Sequence, residues 1–297
     1  MFTNVKKLSH TSVRARIATK QKLLNAIKED YLDHAMTTKF FIDDVVGEYQ
    51  RNSQKRSLYW AAKRPLKIDF SSGTPLLKVS ERTYSVTAKD KRWISEETLS
   101  HSLSVYFIWC FEEFEIFLKR IYAFVGFMNK TNWQGGDFGT TVLKDIKLNT
   151  YDEYLSNVNK NSKLSSTEIL KRLRKICPVI VNWEFSGIRN LKNLHWWIAY
   201  ITLIRHVLVH RTGEVENTDK FEKRLRDELG VGQNNNFTEF LSVINAKYMR
   251  HSEKRCHISL CDFSKSSGIA KKCDDLLDIL QIYTEFICEA VKRESFK

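Results

Sequence analysis

The chain has 297 residues and a formal charge of +13, with 42% hydrophobic and 12% aromatic residues but only 3 prolines and 11 glycines. That composition excludes a fibre or a wholly disordered tail, and the longest apolar stretches, 104–111 and 196–204, fall far short of the ~20 residues needed to cross a bilayer. The excess positive charge favours polyanionic partners whatever the fold, and no membrane is expected to be among them.

The first twenty residues contain Lys6, Lys7, Arg14 and Arg16 but no apolar core of secretory type, which predicts a cytoplasmic protein. Six scattered cysteines, Cys110, Cys177, Cys256, Cys261, Cys273 and Cys288, fit reduced thiols, four of them in segments that read as helix. Cys256, His257 and Cys261 form a conceivable zinc set, but the paired CxxC spacing of structural sites is missing, so neither metal nor cofactor is expected.

Helical periodicity runs through Ile17, Leu23, Leu24, Ile27 and Tyr31, then through Phe40, Phe41, Val45 and Val46, and predicts two helices joined near His34 to Thr38. Arg51, Lys55, Arg56, Lys63, Arg64 and Lys67 follow with no acidic residue between them, and Tyr59 and Trp60 lie inside the run. This pattern suits a phosphate track with rings available to stack on unpaired bases; the competing reading is a solvated surface over two core aromatics. Pro65, Gly73 and Pro75 break the helix, and Val79 and 84–86 favour short strands or an extended linker. Residues 1–92 are therefore set apart as a basic, mainly helical extension or small domain, and 93–297 as the main body.

Ser95, followed by Glu96 and Glu97, suits a helix start. Behind it Leu103, Phe107, Cys110, Phe114, Leu118, Ile121 and Val125 keep three- and four-residue steps over about thirty residues, a face that demands helical partners. A glycine-rich connection over 129–139 is followed by short helices within 142–157 and by a helix over 167–177 closed by Pro178. That helix carries a second basic cluster, Lys171, Arg172, Arg174 and Lys175. The next long helix begins after Trp183, continues through Ile188, Leu191, Leu194, Ile198, Ile201, Ile204 and Leu208 to about His210, and has Gly213 as its terminator. An amphipathic piece over 219–229 ends at Gly230, a helix spans 237–249, and 251–268 reads as a polar loop or insertion. Cys273, Leu276, Leu280, Tyr283, Ile287 and Val291 define a closing helix. The expected fold is all-α, a bundle of four principal helices.

The segment LIRHVLVHRTG, 203–213, gathers Arg205, His206, His210 and Arg211 at the end of an otherwise apolar helix. Histidine exchanges a proton near neutral pH, and arginine holds phosphoryl oxygens through parallel bonds. Together they suffice to cut RNA without a metal: a histidine assists the ribose 2′-hydroxyl or protonates the leaving 5′-oxygen, while Arg205 stabilises charge on the phosphate. Residues four apart share a helix face, as His206 and His210 do, whereas Arg205 and His210 are turned roughly 140° from each other. They meet only through arginine's reach, a loosened last turn, or a second subunit in an isologous dimer.

An arginine, a polar residue and a histidine five positions after the arginine, at the end of a long bundle helix, resemble the motif of the HEPN domains, a helical family that includes many metal-independent endoribonucleases. On that resemblance Arg205, His206 and His210 take the catalytic places, the helices from Ser95 and Lys272 correspond to the opening and closing helices, and about two thirds of the chain is covered. The resemblance implies a homodimer acting on RNA, a toxin or antiviral-defence role, and a possible antitoxin or regulatory partner; non-catalytic RNA- or protein-binding members are the alternative. Arg51, Lys55, Arg56, Lys63, Arg64, Arg172, Arg174 and Arg211 are the candidate RNA-binding cations, and Glu112 or Glu113 a candidate for orienting a cationic side chain. A decoy is present: Arg189, Asn190 and His195 satisfy a relaxed form of the motif, but near the beginning of the helix, where His195 reads as an interior histidine.

Overall fold

The computed structural model describes residues 3–54, 67–69, 76–78, 88–133, 150–186, 193–251, 256–264 and 268–296. The described residues are predominantly helical, with α1 (Thr3–Gln54), α2 (Ala88–Met128), α3 (Tyr151–Lys160), α4 (Ser166–Ile176), α5 (Val179–Ser186), α6 (Leu194–Arg211), α7 (Thr218–Leu229), α8 (Asn235–Tyr248) and α9 (Lys272–Ser295).

The centre of the molecule is α2. Leu99, Leu103, Phe107, Phe111, Phe114, Phe117, Leu118, Ile121, Tyr122 and Phe124 are all buried, on more than one side of the helix. A helix apolar nearly all round needs neighbours nearly all round, and α1, α3, α4, α6 and α9 supply them. Tyr31 of α1 meets Phe114 and Phe117, while Phe41 meets Tyr106 and Trp109, so α1 runs antiparallel to α2.

α1 is one continuous helix, not two helices joined near His34 to Thr38. Leu24, Ile27, Tyr31, Ala35, Ile42 and Val46 recur at helical steps and belong to the same buried cluster as α2 and α9. Thr38 does not break the run because its hydroxyl donates to the His34 carbonyl one turn back, satisfying itself inside the helix. The helix expected from Ser95 already begins at Ala88, and the extended segment expected after Lys67 contains a pair of antiparallel strands, β1 (Lys67–Asp69) and β2 (Leu76–Lys78).

Side-chain oxygens fix several shorter boundaries. Thr150 and Glu153 form a reciprocal capping box on α3, and Ser165, Asn217 and Asn234 cap α4, α7 and α8. Trp133 folds back over the end of α2, stacks on Tyr122 and donates its indole N–H to the Tyr122 carbonyl at 2.9 Å. Its ring occupies the space where a side chain on Gly126 would project, which fixes glycine at that position.

Two departures from helix lie near the carboxyl-terminal end. β3 (Glu214–Val215), β5 (Cys256–Ile258) and β4 (Met249–His251) form a three-stranded antiparallel sheet in that order, and β6 (Cys261–Ser264) pairs with β7 (Gly268–Lys271). The loop expected over 251–268 thus contains strands, each too short for period-two alternation to stand out. The long helix expected from Trp183 is also divided: α5 ends at Ser186 and α6 starts at Leu194, with Asn193 at φ 57° capping the Trp196 amide. Ile188 and Leu191, which were to join the two, lie outside the described residues.

Candidate functional site

The end of α6 is built by opposing demands on one helix. Ile198, Ile201, Ile204, Val207 and Leu208 are buried and anchor it against the core. Thr212 adopts φ 49° and returns its amide to the Val207 carbonyl, and Gly213 follows at φ 87°, so the helix stops one turn after His206. His206 is half-buried and His210 exposed on the same face, with ring centroids 4.6 Å apart. Burial holds the His206 pKa below the ordinary histidine value, and the charges of Arg224, His210, Arg205 and Arg211 push in the same direction. His206 is thereby biased towards the neutral imidazole.

Arg205, one position earlier, leaves on the side facing α2. Its Nη2 lies 3.6 Å from Glu115 Oε2 and 4.0 Å from Glu112 Oε1, and its guanidinium stands 5.8 Å from the Phe111 ring centre. Glu115 also accepts a 2.9 Å hydrogen bond from Ser166 at the start of α4. Of the two glutamates expected to orient a cation, Glu112 reaches Arg205, whereas Glu113 lies 3.7 Å from His34 Nε2 on α1. Glu115, the nearer partner, was missed. The signal was present in the spacing, since Glu112 and Glu115 are three apart and share a helix face that excludes Glu113.

The basic residues separate into distinct classes. Arg174 is not a surface cation: it binds Glu184 through Nε and Nη2 at 2.8–3.1 Å, and Glu184 is only 1% exposed. Arg174, a candidate RNA-binding cation, is thus engaged within the chain by a buried carboxylate. Arg172 bonds Glu168 and the Tyr122 hydroxyl at 3.1 Å each, and Arg211 pairs with Glu216 at 2.9 Å. Arg51 is in α1 with no described side chain; Lys55, Arg56, Tyr59, Trp60, Lys63 and Arg64 lie outside the described residues.

The decoy histidine occupies a different setting. His195 Nδ1 is 3.8 Å from Glu184 Oε2, and Tyr283 donates a short hydrogen bond to Glu184, so α4, α5, α6 and α9 meet in one polar cluster. Burial lowers the His195 pKa to about 4, reinforced by the Arg174 charge and opposed by Glu184. Arg189 and Asn190 lie outside the described residues. Cys256 and His257 are consecutive on β5, where side chains alternate between faces, so they do not converge with Cys261 on one ion. No group of three metal-binding side chains occurs among the described residues, and none of their helices is long and apolar enough to cross a membrane.

Fold and site together define a predominantly helical, strongly basic protein with a paired-histidine surface at the end of a core helix. No family model, curated protein or solved structure matches the chain.

Proposed function

We propose that the chain is a metal-independent endoribonuclease of the HEPN type, with its reactive surface at His206 and His210. The observation that carries this reading is the contact between an exposed His210 and a His206 held towards its neutral form, in a cationic setting that draws in the phosphate backbone. His210, the exposed member, meets the ribose and exchanges protons there; His206 is the acceptor beside it, and its neutral state spares the site a second adjacent positive charge. The 2′-hydroxyl loses its proton to imidazole, its oxygen bonds to phosphorus, and the bond to the 5′-oxygen breaks. That oxygen takes a proton as it leaves, giving a 2′,3′-cyclic phosphate and a 5′-hydroxyl. Arg205 stabilises the phosphate charge once it exchanges Glu112 and Glu115 for the substrate. A toxin or antiviral-defence role follows from the same resemblance.

The hold of Glu115 and Glu112 on Arg205 favours one other reading, in which Arg205 clamps α6 to α2 and the chain is a non-catalytic RNA- or protein-binding module. Substrate chemistry separates the two. An endoribonuclease of this mechanism cuts an oligoribonucleotide in EDTA, leaves the cyclic phosphate, and fails on the same sequence carrying 2′-O-methyl groups. Binding of both oligonucleotides with cleavage of neither contradicts the enzymatic reading.

A further inference from the structure

A cleft of about 480 Å³ lies between the first turns of α6 and the first half of α8, and Phe185 of α5 also lines it. Its walls are aromatic. Trp196 stands 5.5 Å from Phe240 at an interplanar angle of 53°, and Trp197 stands 5.3 Å from the same ring at 87°. Phe185 and Val243 are 58% and 64% exposed there, apolar surface that the chain leaves open to solvent. Glu239, beside Phe240, is exposed, makes no ion pair among the described residues, and is the one charged side chain among those lining the cleft.

Ring geometry and charge together select the ligand. A flat base stacks on parallel walls, whereas rings set at wide angles to one another enclose a compact group. Their faces carry partial negative charge, and Glu239 adds a full one, so the cleft favours a cation in a chain whose net charge is +13. The helix starts do not reverse this preference, because Asn193 and Asn234 accept the Trp196 and Phe237 amides and take those first-turn donors from any anion. A bare ammonium is strongly hydrated, but a methylated one spreads its charge and offers apolar surface to the rings. We propose that this cleft binds a methylated ammonium head group, with its methyl groups against Trp196, Trp197 and Phe240 and its charge balanced by Glu239. Trp196 precedes His206 by about 15 Å along α6 at 1.5 Å per residue, so the cleft is separate from the histidine pair and the proposal is independent of the endoribonuclease reading.

Isothermal titration calorimetry of the full chain with choline tests it, beside the neutral carbon analogue in which a tert-butyl group replaces the trimethylammonium. Choline is expected to bind with a dissociation constant of about 1 mM or below, and the neutral analogue at least about tenfold more weakly. Trp197→Leu is expected to weaken choline binding by about tenfold, and Trp197→Phe, which keeps a ring, by less. Glu239→Gln is expected to weaken it by about fivefold. Glu239 is exposed, so helical circular dichroism is expected to be unchanged in that variant, which keeps the test decisive even where loss of Trp197 disturbs the fold. Absence of choline binding in the millimolar range overturns the proposal, as does equal affinity for the neutral analogue or full choline affinity in Glu239→Gln.

Discussion

The two ends of α6 offer histidine two different environments. At its start His195 lies beside the buried Glu184, which Arg174 and the buried Tyr283 also engage. At its end His206 and His210 share a face that opens to solvent. The first environment uses charge to join four helices; the second leaves an imidazole accessible to a ligand. Sequence spacing treats both as an arginine followed by a histidine, so burial and partner choice, rather than motif, separate a histidine closed into a polar cluster from one open to solvent.

The start of α6 is where the largest loss of stability is expected. Glu184→Ala leaves Arg174 without its carboxylate in a nearly closed site, at a cost of about 3–5 kcal/mol in urea unfolding. Replacing the pair together, Arg174→Met with Glu184→Leu, is expected to recover most of that loss. A double variant as unstable as the single would assign the cluster's contribution to shape rather than charge.

His195 gives a smaller, pH-dependent effect. It stays neutral in the fold down to about pH 4, whereas in the unfolded chain it takes a proton below its ordinary value of 6.5. Its contribution is complete above pH 6.5 and is lost as pH falls towards 4, on the order of 3 kcal/mol over that window. His195→Gln is expected to flatten this part of the stability profile relative to the unmodified protein. Equal slopes in the two proteins would mean that His195 titrates normally.

The smallest effect is expected at the clamp between the two regions. Arg205 and Glu115 are both partly solvated, so Glu115→Gln is expected to cost no more than about 1 kcal/mol of stability. Releasing Arg205 is expected to tighten binding of a 2′-O-methyl oligonucleotide by about threefold, a shift of under 1 kcal/mol. Weaker binding in that variant would assign Glu115 a supporting role in RNA recognition.

The sequence was informative wherever a helix buries one face for many residues. The apolar periodicities located α9, the body of α2 and the part of the long helix that is α6, though not the break before Leu194 or the start of α2 at Ala88, and Gly213 and Gly230 stand where α6 and α7 end. It was misleading where a local rule met a tertiary partner. Thr38, set among polar residues, read as a joint but is buried against the core, so α1 continues. The strands around Cys256 are three residues long, shorter than any alternating pattern that can be recognised. At the site, the shared face of His206 and His210 followed from their spacing, while the destination of Arg205 did not, because Glu115 belongs to a helix about ninety positions away. Arg174 illustrates the same limit: four cations in five residues resemble a surface patch until Glu184 is found against one of them.

The central claim is that chemistry belongs to the exposed end of α6 and structure to the buried end, and its most direct test is the rate of RNA cleavage in EDTA by His210→Ala beside His195→Ala. Each rate is normalised to the folded fraction of its variant. The account predicts that His210→Ala loses at least about a hundredfold in rate while still binding RNA, as expected when an acid–base group is removed. His195→Ala, corrected for unfolding, retains the rate of the unmodified protein. Undiminished cleavage by His210→Ala would contradict the account.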